Sequence, residues 1–89
     1  MSYRVETTAR FDKEFKKLDR YTQRTLRAWI QKKLVDSDNP RVYGKRPTTD
    51  LSGLWRYQIG DYRLICRIED ARLVILALSA GHKSNIYNR

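Results

Sequence analysis

The sequence predicts a small α+β domain, in which two N-terminal helices pack on one face of a twisted, mainly antiparallel sheet in the order β-α-α-β-β-β. Three observations support this fold class: a length of 89 residues, two consecutive amphipathic stretches, and a later alternating stretch that turns back at Gly60-Asp61. A chain of this length has room for one hydrophobic core, so we expect residues 1–89 to form a single domain.

The first half of the chain predicts a strand and two helices. A strand at Ser2–Glu6 is followed by a helix that Thr7 or Thr8 can cap. A break at Asp19–Tyr21 precedes the second helix, at about Thr22–Val35. Apolar residues at helical spacing define the two buried faces: Phe11, Phe15 and Leu18 in the first helix, and Leu26, Trp29, Ile30 and Leu34 in the second. Two such helices in succession are typical of a helical hairpin laid over a sheet.

The second half predicts a loop, a hairpin and a final strand. Asp36–Asp50 contains two prolines and Gly44, so we expect it to be a loop and the longest irregular region. Leu54–Arg67 alternates residue types at period two around Gly60-Asp61, which predicts a β-hairpin with a two-residue turn. The final strand is predicted at Arg72–Ser79, where the run Leu73–Leu78 is apolar at every position, as is typical of a central strand covered on both faces.

The predicted turn fixes which hairpin side chains share a face. Ile59 faces Tyr62, and the pairs continue back along both strands as far as Trp55 and Cys66. One face then carries Trp55, Tyr57, Ile59, Tyr62, Leu64 and Cys66, and the other carries Arg56, Gln58, Arg63 and Arg67. We therefore expect one face to pack the core and the other to present guanidinium groups to an anionic partner.

Composition narrows the class of protein. Nineteen Lys and Arg against ten Asp and Glu give a net charge of +9, which favours binding to phosphates or to an acidic protein. One cysteine and one histidine cannot form an intramolecular disulfide or a typical structural zinc site. No apolar run is long enough for a membrane span or follows a basic N-terminal segment, so we expect a cytoplasmic protein.

The side chains available for chemistry are mainly arginine, lysine and tyrosine. Motifs for metal-dependent proteolysis, nucleotide hydrolysis and a serine nucleophile elbow are absent from the sequence. The available side chains suit metal-free cleavage of RNA, because the nucleophile is then the 2′-hydroxyl of the RNA itself. The protein needs only to move protons and to stabilise the charge of the transition state.

Four segments, in this order, carry a family resemblance: Arg10–Leu18, Leu51–Arg56, Gly60–Arg63 and the end from Gly81 to Tyr87. On these segments the sequence resembles the RelE/ParE superfamily of toxins from bacterial type II toxin–antitoxin systems, over nearly the whole chain. The resemblance implies the RelE-like fold. For the RelE-type branch, it also implies cleavage of messenger RNA in the ribosomal A site.

The resemblance also implies roles for individual residues. Arg63 lies where RelE-type toxins place an arginine on the scissile phosphate, and Arg56 matches a basic position that stabilises the transition state. Tyr87 matches a tyrosine that stacks on a base and acts as a general base. Lys83 stands where the best-known members have arginine, and Gln58 stands where they have a second lysine. Both departures weaken the match, since lysine lacks bidentate geometry and an amide carries no charge.

The remaining candidates support this site. His82 is the other side chain suited to proton transfer, either in direct catalysis or in a purely structural role. Arg41, Lys45 and Arg46 in the loop adjoin the hairpin, and with Arg67 and Gln58 they form the candidate contacts to RNA and ribosome.

A toxin of this superfamily implies a cognate antitoxin and a toxin–antitoxin hetero-oligomer; the RelE-type reading adds the 70S ribosome and mRNA as partners and requires no cofactor. Two alternatives share the fold. One is a ParE-type toxin that poisons DNA gyrase without nuclease activity, and the other is a catalytically inactive module that only binds its antitoxin.

Overall fold

The computed structural model describes residues 2–46 and 53–86, and it confirms the α+β class. The main elements occur in the predicted order, with a two-residue strand and a short C-terminal helix in addition. In chain order they are β1 (Arg4–Thr7), α1 (Ala9–Lys16), α2 (Arg20–Lys33), β2 (Gly44–Lys45), β3 (Leu54–Ile59), β4 (Tyr62–Glu69), a 3-10 turn (Asp70–Arg72), β5 (Val74–His82) and α3 (Lys83–Ile86).

Short polar side chains start both long helices. Thr8 accepts a hydrogen bond from the Phe11 amide, and Asp19 accepts one from the Thr22 amide, so each satisfies a backbone group that the first helical turn leaves unpaired. Because Asp19 is the cap, α2 begins two residues earlier than the sequence predicts, and the break before it is shorter. Among the helices of the described residues, none has the length and apolarity needed to cross a membrane.

The five strands form one sheet in the order β1-β5-β4-β3-β2. The β1–β5 pair is parallel, and the other pairs are antiparallel. The β3–β4 register runs from Ile59 opposite Tyr62 to Leu54 opposite Arg67, so the predicted hairpin pairing is confirmed at every position. Gly60 in the turn has φ +62°, a conformation that glycine adopts without steric cost.

The core lies between the helices and the predicted apolar face of the hairpin. Tyr57, Leu64 and Cys66 are at most 1% exposed and belong to one cluster with Leu26 of α2. Burial raises the pKa of the Cys66 thiol, so this cysteine acts as a small apolar residue, as predicted.

The predicted loop at Asp36–Asp50 is wrong for Gly44 and Lys45, which form β2 and pair with Tyr57 and Arg56 of β3. The physical reason is the absence of a side chain at Gly44. A Cβ there would lie 2.6 Å from the Arg56 carbonyl oxygen, so only glycine permits this approach of the two strands. A two-residue strand has no detectable periodicity of its own.

β5 is an interior strand, as predicted, but it is not fully covered. Leu76 and Leu78 remain partly exposed, because both long helices pack onto the same core cluster. The pairing with β4 also shifts between Ile65 and Cys66, which leaves Leu78 as an extra residue. Glu14 of α1 accepts hydrogen bonds from the Ser79 hydroxyl (2.7 Å) and the Ala80 amide (3.1 Å) beside this bulge.

Candidate nucleic-acid interface

The sheet register places three of the candidate residues on one face. Arg63 pairs with Gln58 on one side and with Gly81 on the other, and Arg56 pairs with Ile65, two positions along β4 from Arg63. Since opposed residues point to the same side of a sheet, Arg56, Gln58 and Arg63 lie on the face away from the core cluster. We call this surface the open face.

The three side chains differ in exposure. Arg63 is only 5% exposed, Arg56 is partly buried, and Gln58 is exposed. Arg63 is therefore not a solvated arginine on an exposed strand face. Burial limits the rotamers of a long side chain and so orders it before any ligand arrives, at a desolvation cost that an exposed arginine avoids.

β2 adds a further cation to the open face. Lys45 stands directly opposite Arg56, and like charges in that arrangement destabilise a sheet. Arg67 lies on the same face two positions beyond Ile65 and is exposed, as is Arg46 next to β2. Neither Lys45 nor Arg67 takes part in a salt bridge with another described residue. Several cationic side chains are therefore concentrated on the open face.

Arg41 is separated from this group. Its Nη1 and Nη2 donate to the two carboxylate oxygens of Asp70, each at 3.0 Å, and the Tyr3 hydroxyl donates to the same carboxylate at 2.6 Å. Hydrogen bonding from Arg41, and to a smaller extent from Tyr3, holds the pKa of Asp70 below its usual value. The guanidinium also lies over the Trp55 ring, 5.7 Å from its centre. Arg41 thus ties the segment before β2 to the end of β4.

A second tie holds the same segment. The buried Tyr57 hydroxyl donates to the Pro40 carbonyl at 2.5 Å, and burial raises the pKa of this phenol. Tyr43 packs edge-on against Trp29, with ring centres 6.3 Å apart. Sequence reasoning missed these contacts, because the partners are 14 to 17 residues apart and no local pattern relates them.

The chain after β5 returns to the hairpin turn. The Lys83 amide donates to the Asp61 carbonyl at 2.8 Å, and its Nζ lies 3.9 Å from the Asp61 carboxylate in an exposed pair. Lys83 therefore lies near the Asp61-Tyr62 end of the hairpin, next to the Gly81–Arg63 pair. Tyr87 falls outside the described residues.

His82 makes local contacts on both sides. Its Nδ1 lies 2.9 Å from Ser84 Oγ and accepts a hydrogen bond from the Ser84 amide at 3.2 Å. Its ring meets the Tyr62 ring edge-on, with centres 5.4 Å apart. An amide can only donate, so Nδ1 is the acceptor nitrogen and a neutral ring carries its proton on Nε2.

The arrangement suits binding of a phosphodiester. Guanidinium and ammonium groups can hold phosphate oxygens and offset the charge that develops there. Within residues 2–46 and 53–86, no group of three or more His, Cys, Asp or Glu side chains is arranged to hold a metal ion.

Comparison with known families agrees with the fold and the segments described above. A family profile described as "ParE toxin of type II toxin-antitoxin system, parDE" matches residues 5–87. Toxin RelG of Mycobacterium tuberculosis is 33% identical over 87 residues, which cover 97% of this chain and 94% of RelG.

Solved structures give the same result for the fold. The toxin–antitoxin complex RelBE2 from Mycobacterium tuberculosis matches with a TM-score of 0.77 and 22% identity, over 92% of this chain and 99% of that one. The isolated E. coli RelE toxin matches with a TM-score of 0.74 and 22% identity, over 98% of this chain and 93% of that one. At this level of identity, the likeness concerns the fold alone.

Proposed function

The chain belongs to the ParE/RelE superfamily of type II toxins, and we propose that it is a ribosome-dependent endoribonuclease that cleaves mRNA in the A site. The observation that carries this proposal is the position of Arg63 on the open face, between Gln58 and Gly81 and near Arg56. The similarity to Toxin RelG supports the RelE-type branch.

In the proposed reaction, the 2′-hydroxyl of one nucleotide attacks its own 3′-phosphate, and the 5′-oxygen of the next nucleotide leaves. Arg63 and Arg56 bind the non-bridging phosphate oxygens and stabilise the extra negative charge of the phosphorane. Because Arg63 is 5% exposed, only a small part of its side chain is accessible to the phosphate. The products are a 2′,3′-cyclic phosphate and a 5′-hydroxyl.

Two further residues complete the proton transfers. Lys83 protonates the leaving oxygen or offsets its charge, and Tyr87 accepts the 2′-hydroxyl proton. Cations close to a tyrosine favour the phenolate and so make it a better base than it is in water. The alternative base, His82, is a weaker candidate: with Nδ1 accepting from Ser84, the neutral ring has no lone pair left on Nε2.

The proposed complex places mRNA and ribosomal RNA along the open face. Lys45, Arg46 and Arg67 flank the site, and their charge attracts phosphates on either side of the scissile one. Arg41 contributes indirectly, since its bond with Asp70 anchors the segment that carries Lys45.

We also propose a cognate antitoxin as the partner outside the ribosome. The solved relatives include toxin–antitoxin complexes, and a basic face fits an acidic partner segment. Such a partner would inhibit the toxin by covering Arg56 and its neighbours, and the two proteins would form a hetero-oligomer.

A second function has one specific observation in its favour. The matching family profile is described as a ParE toxin, and a ParE-type protein would act on DNA gyrase without cleaving RNA. The fold is common to both branches and so does not decide between them.

Primer extension on a reporter mRNA in a purified translation system tests the proposal. One reaction contains ribosomes, one contains naked RNA with EDTA, and one contains ribosomes with Arg63→Ala. We expect cuts only on ribosome-bound message, and none with the variant. Intact message together with inhibited supercoiling by purified gyrase would overturn the ribonuclease and favour the ParE-type reading, whereas no effect in either assay would leave an antitoxin-binding module.

A further inference from the structure

We propose that His82 is a positioning residue, which holds the segment beginning at Lys83 against the hairpin turn and exchanges no proton with RNA. This inference rests on the proposed ribonuclease activity, because that segment contains Lys83 and leads to Tyr87. The carrying observation is the paired contact of one ring nitrogen, His82 Nδ1, with both the amide and the hydroxyl of Ser84.

The contact has the form of a side-chain cap. His82 is the last residue of β5, and Ser84 is the second residue of the helical turn Lys83–Ile86. An acceptor at the residue before a helical turn commonly receives the amide two positions on, which has no partner inside the turn. The acceptor lone pair of His82 is therefore used in orienting the backbone that follows.

The other contacts of this junction fix it to the hairpin. The His82 ring rests edge-on against Tyr62, its Cα partner on β4. The next residue, Lys83, donates its amide to the Asp61 carbonyl. Asp61 and Tyr62 directly precede Arg63, so the cap sets the position of Lys83 relative to the residue proposed to bind the phosphate.

Two substitutions separate this role from proton transfer. In His82→Asn, the side-chain oxygen is bonded to Cγ, as Nδ1 is, and asparagine is a favoured cap residue. In His82→Gln, the amide oxygen is one bond farther out and corresponds to Nε2 instead. Neither amide titrates, so neither variant has an acid or a base at this position. Asn restores the cap, and Gln does not.

The test measures the cleavage rate at saturating protein and the half-saturating concentration in the ribosomal assay, together with hydrogen exchange of the Ser84 amide. We expect His82→Asn to cleave within about twofold of the wild type. We expect His82→Gln to cleave about fivefold more slowly, with a similar half-saturating concentration and a correspondingly faster Ser84 exchange. About fivefold is the factor by which loss of one cap hydrogen bond lowers the ratio of the ordered to the disordered segment. Thermal unfolding of all three proteins checks that the fold is intact.

Other outcomes overturn the inference. Equal loss of cleavage in both variants would mean that the ring itself takes part in the reaction. Unchanged cleavage in both variants would mean that the reaction does not depend on His82 holding the segment that begins at Lys83. If the wild type itself cleaves no message, the proposed function fails. Hydrogen exchange of the Ser84 amide then decides by itself whether His82 holds the segment. Equal exchange in all three proteins would reject the positioning role.

Discussion

Two regions of the sheet place their charged residues among different neighbours. At the end of β4, which we call the paired end, arginines meet carboxylates in four contacts: Arg4–Glu6, Arg41–Asp70, Arg72–Glu69 and Arg72–Glu6. On the open face, which is nearer the hairpin turn, Lys45 stands opposite Arg56, and Arg63 lies on the next strand. The role of an arginine here follows from its neighbours and not from its residue type.

The energetics of the two regions differ accordingly. Exposed ion pairs such as Arg41–Asp70 contribute at most about 1 kcal/mol and weaken with salt, so their main effect is to fix the path of a segment. Cations facing each other lower stability slightly and raise the local potential, which attracts phosphate groups. The contacts of the paired end fix the path of the chain, whereas the open face concentrates the cationic side chains that the proposed function assigns to phosphate binding.

The largest expected difference between the two regions is in the cleavage rate after one guanidinium is removed from each. We expect Arg63→Ala to slow cleavage of ribosome-bound message about 100-fold or more, as for loss of one donor to a developing charge. Arg41→Ala should stay within about twofold of the wild type. Single-turnover cleavage, with circular dichroism as the folding control, measures both rates. Similar losses of cleavage rate in the two variants would contradict the distinction between the open face and the paired end.

The next effect concerns β2, which brings Lys45 to the open face. Gly44→Ala places a Cβ 2.6 Å from the Arg56 carbonyl oxygen, so the strands must separate, at a cost of about 2 kcal/mol in the free energy of unfolding. Lys45→Ala is the matched control: it removes the charge without the clash and should leave stability unchanged or slightly higher. Urea unfolding distinguishes them, and equal stabilities would show that β2 tolerates a side chain.

A smaller effect is expected at the β5 bulge. Glu14→Gln weakens the hydrogen bonds from Ser79, Ala80 and Arg10, and should cost about 1.5 kcal/mol at neutral pH. Burial alone would raise the pKa of Glu14, but these bonds outweigh it and hold the pKa below its usual value. The carboxylate therefore stabilises the fold above the pKa of the unfolded chain.

The acid dependence of that effect is a separate readout. The difference in stability between wild type and Glu14→Gln should shrink as the pH falls below about 5, because the unfolded chain takes up a proton on this carboxyl before the folded protein does. Urea titrations at several pH values measure it. A difference that stays constant over this range would mean that the charge of Glu14 is not what the bulge requires.

The smallest effect belongs to the paired end. Asp70→Asn removes the charge that Arg41 and Tyr3 contact, and should lower stability by less than about 1 kcal/mol, with a smaller difference at high salt. Cleavage should change little. A large loss of cleavage with unchanged stability would mean that the paired end also contributes to the reaction, and the comparison would fail.

The sequence by itself determined the elements whose geometry depends on neighbours in the chain. The hairpin register follows from a two-residue turn and period-two alternation, and both Thr8 and Asp19 act on amides three residues away. The grouping of Arg56, Gln58 and Arg63 on one face follows from the same alternation. The family resemblance, in turn, singled out Arg63 among 19 lysines and arginines.

Only the tertiary structure decided which partners distant parts of the chain bring to each charged residue. Arg41 meets Asp70 from 29 residues away, Glu14 reaches the bulge from 65 residues away, and Gly44 joins the sheet because β3 lies beside it. The burial of Arg63 is likewise a result of tertiary packing. Such contacts depend on how elements pack, and no periodicity in one segment encodes the position of another.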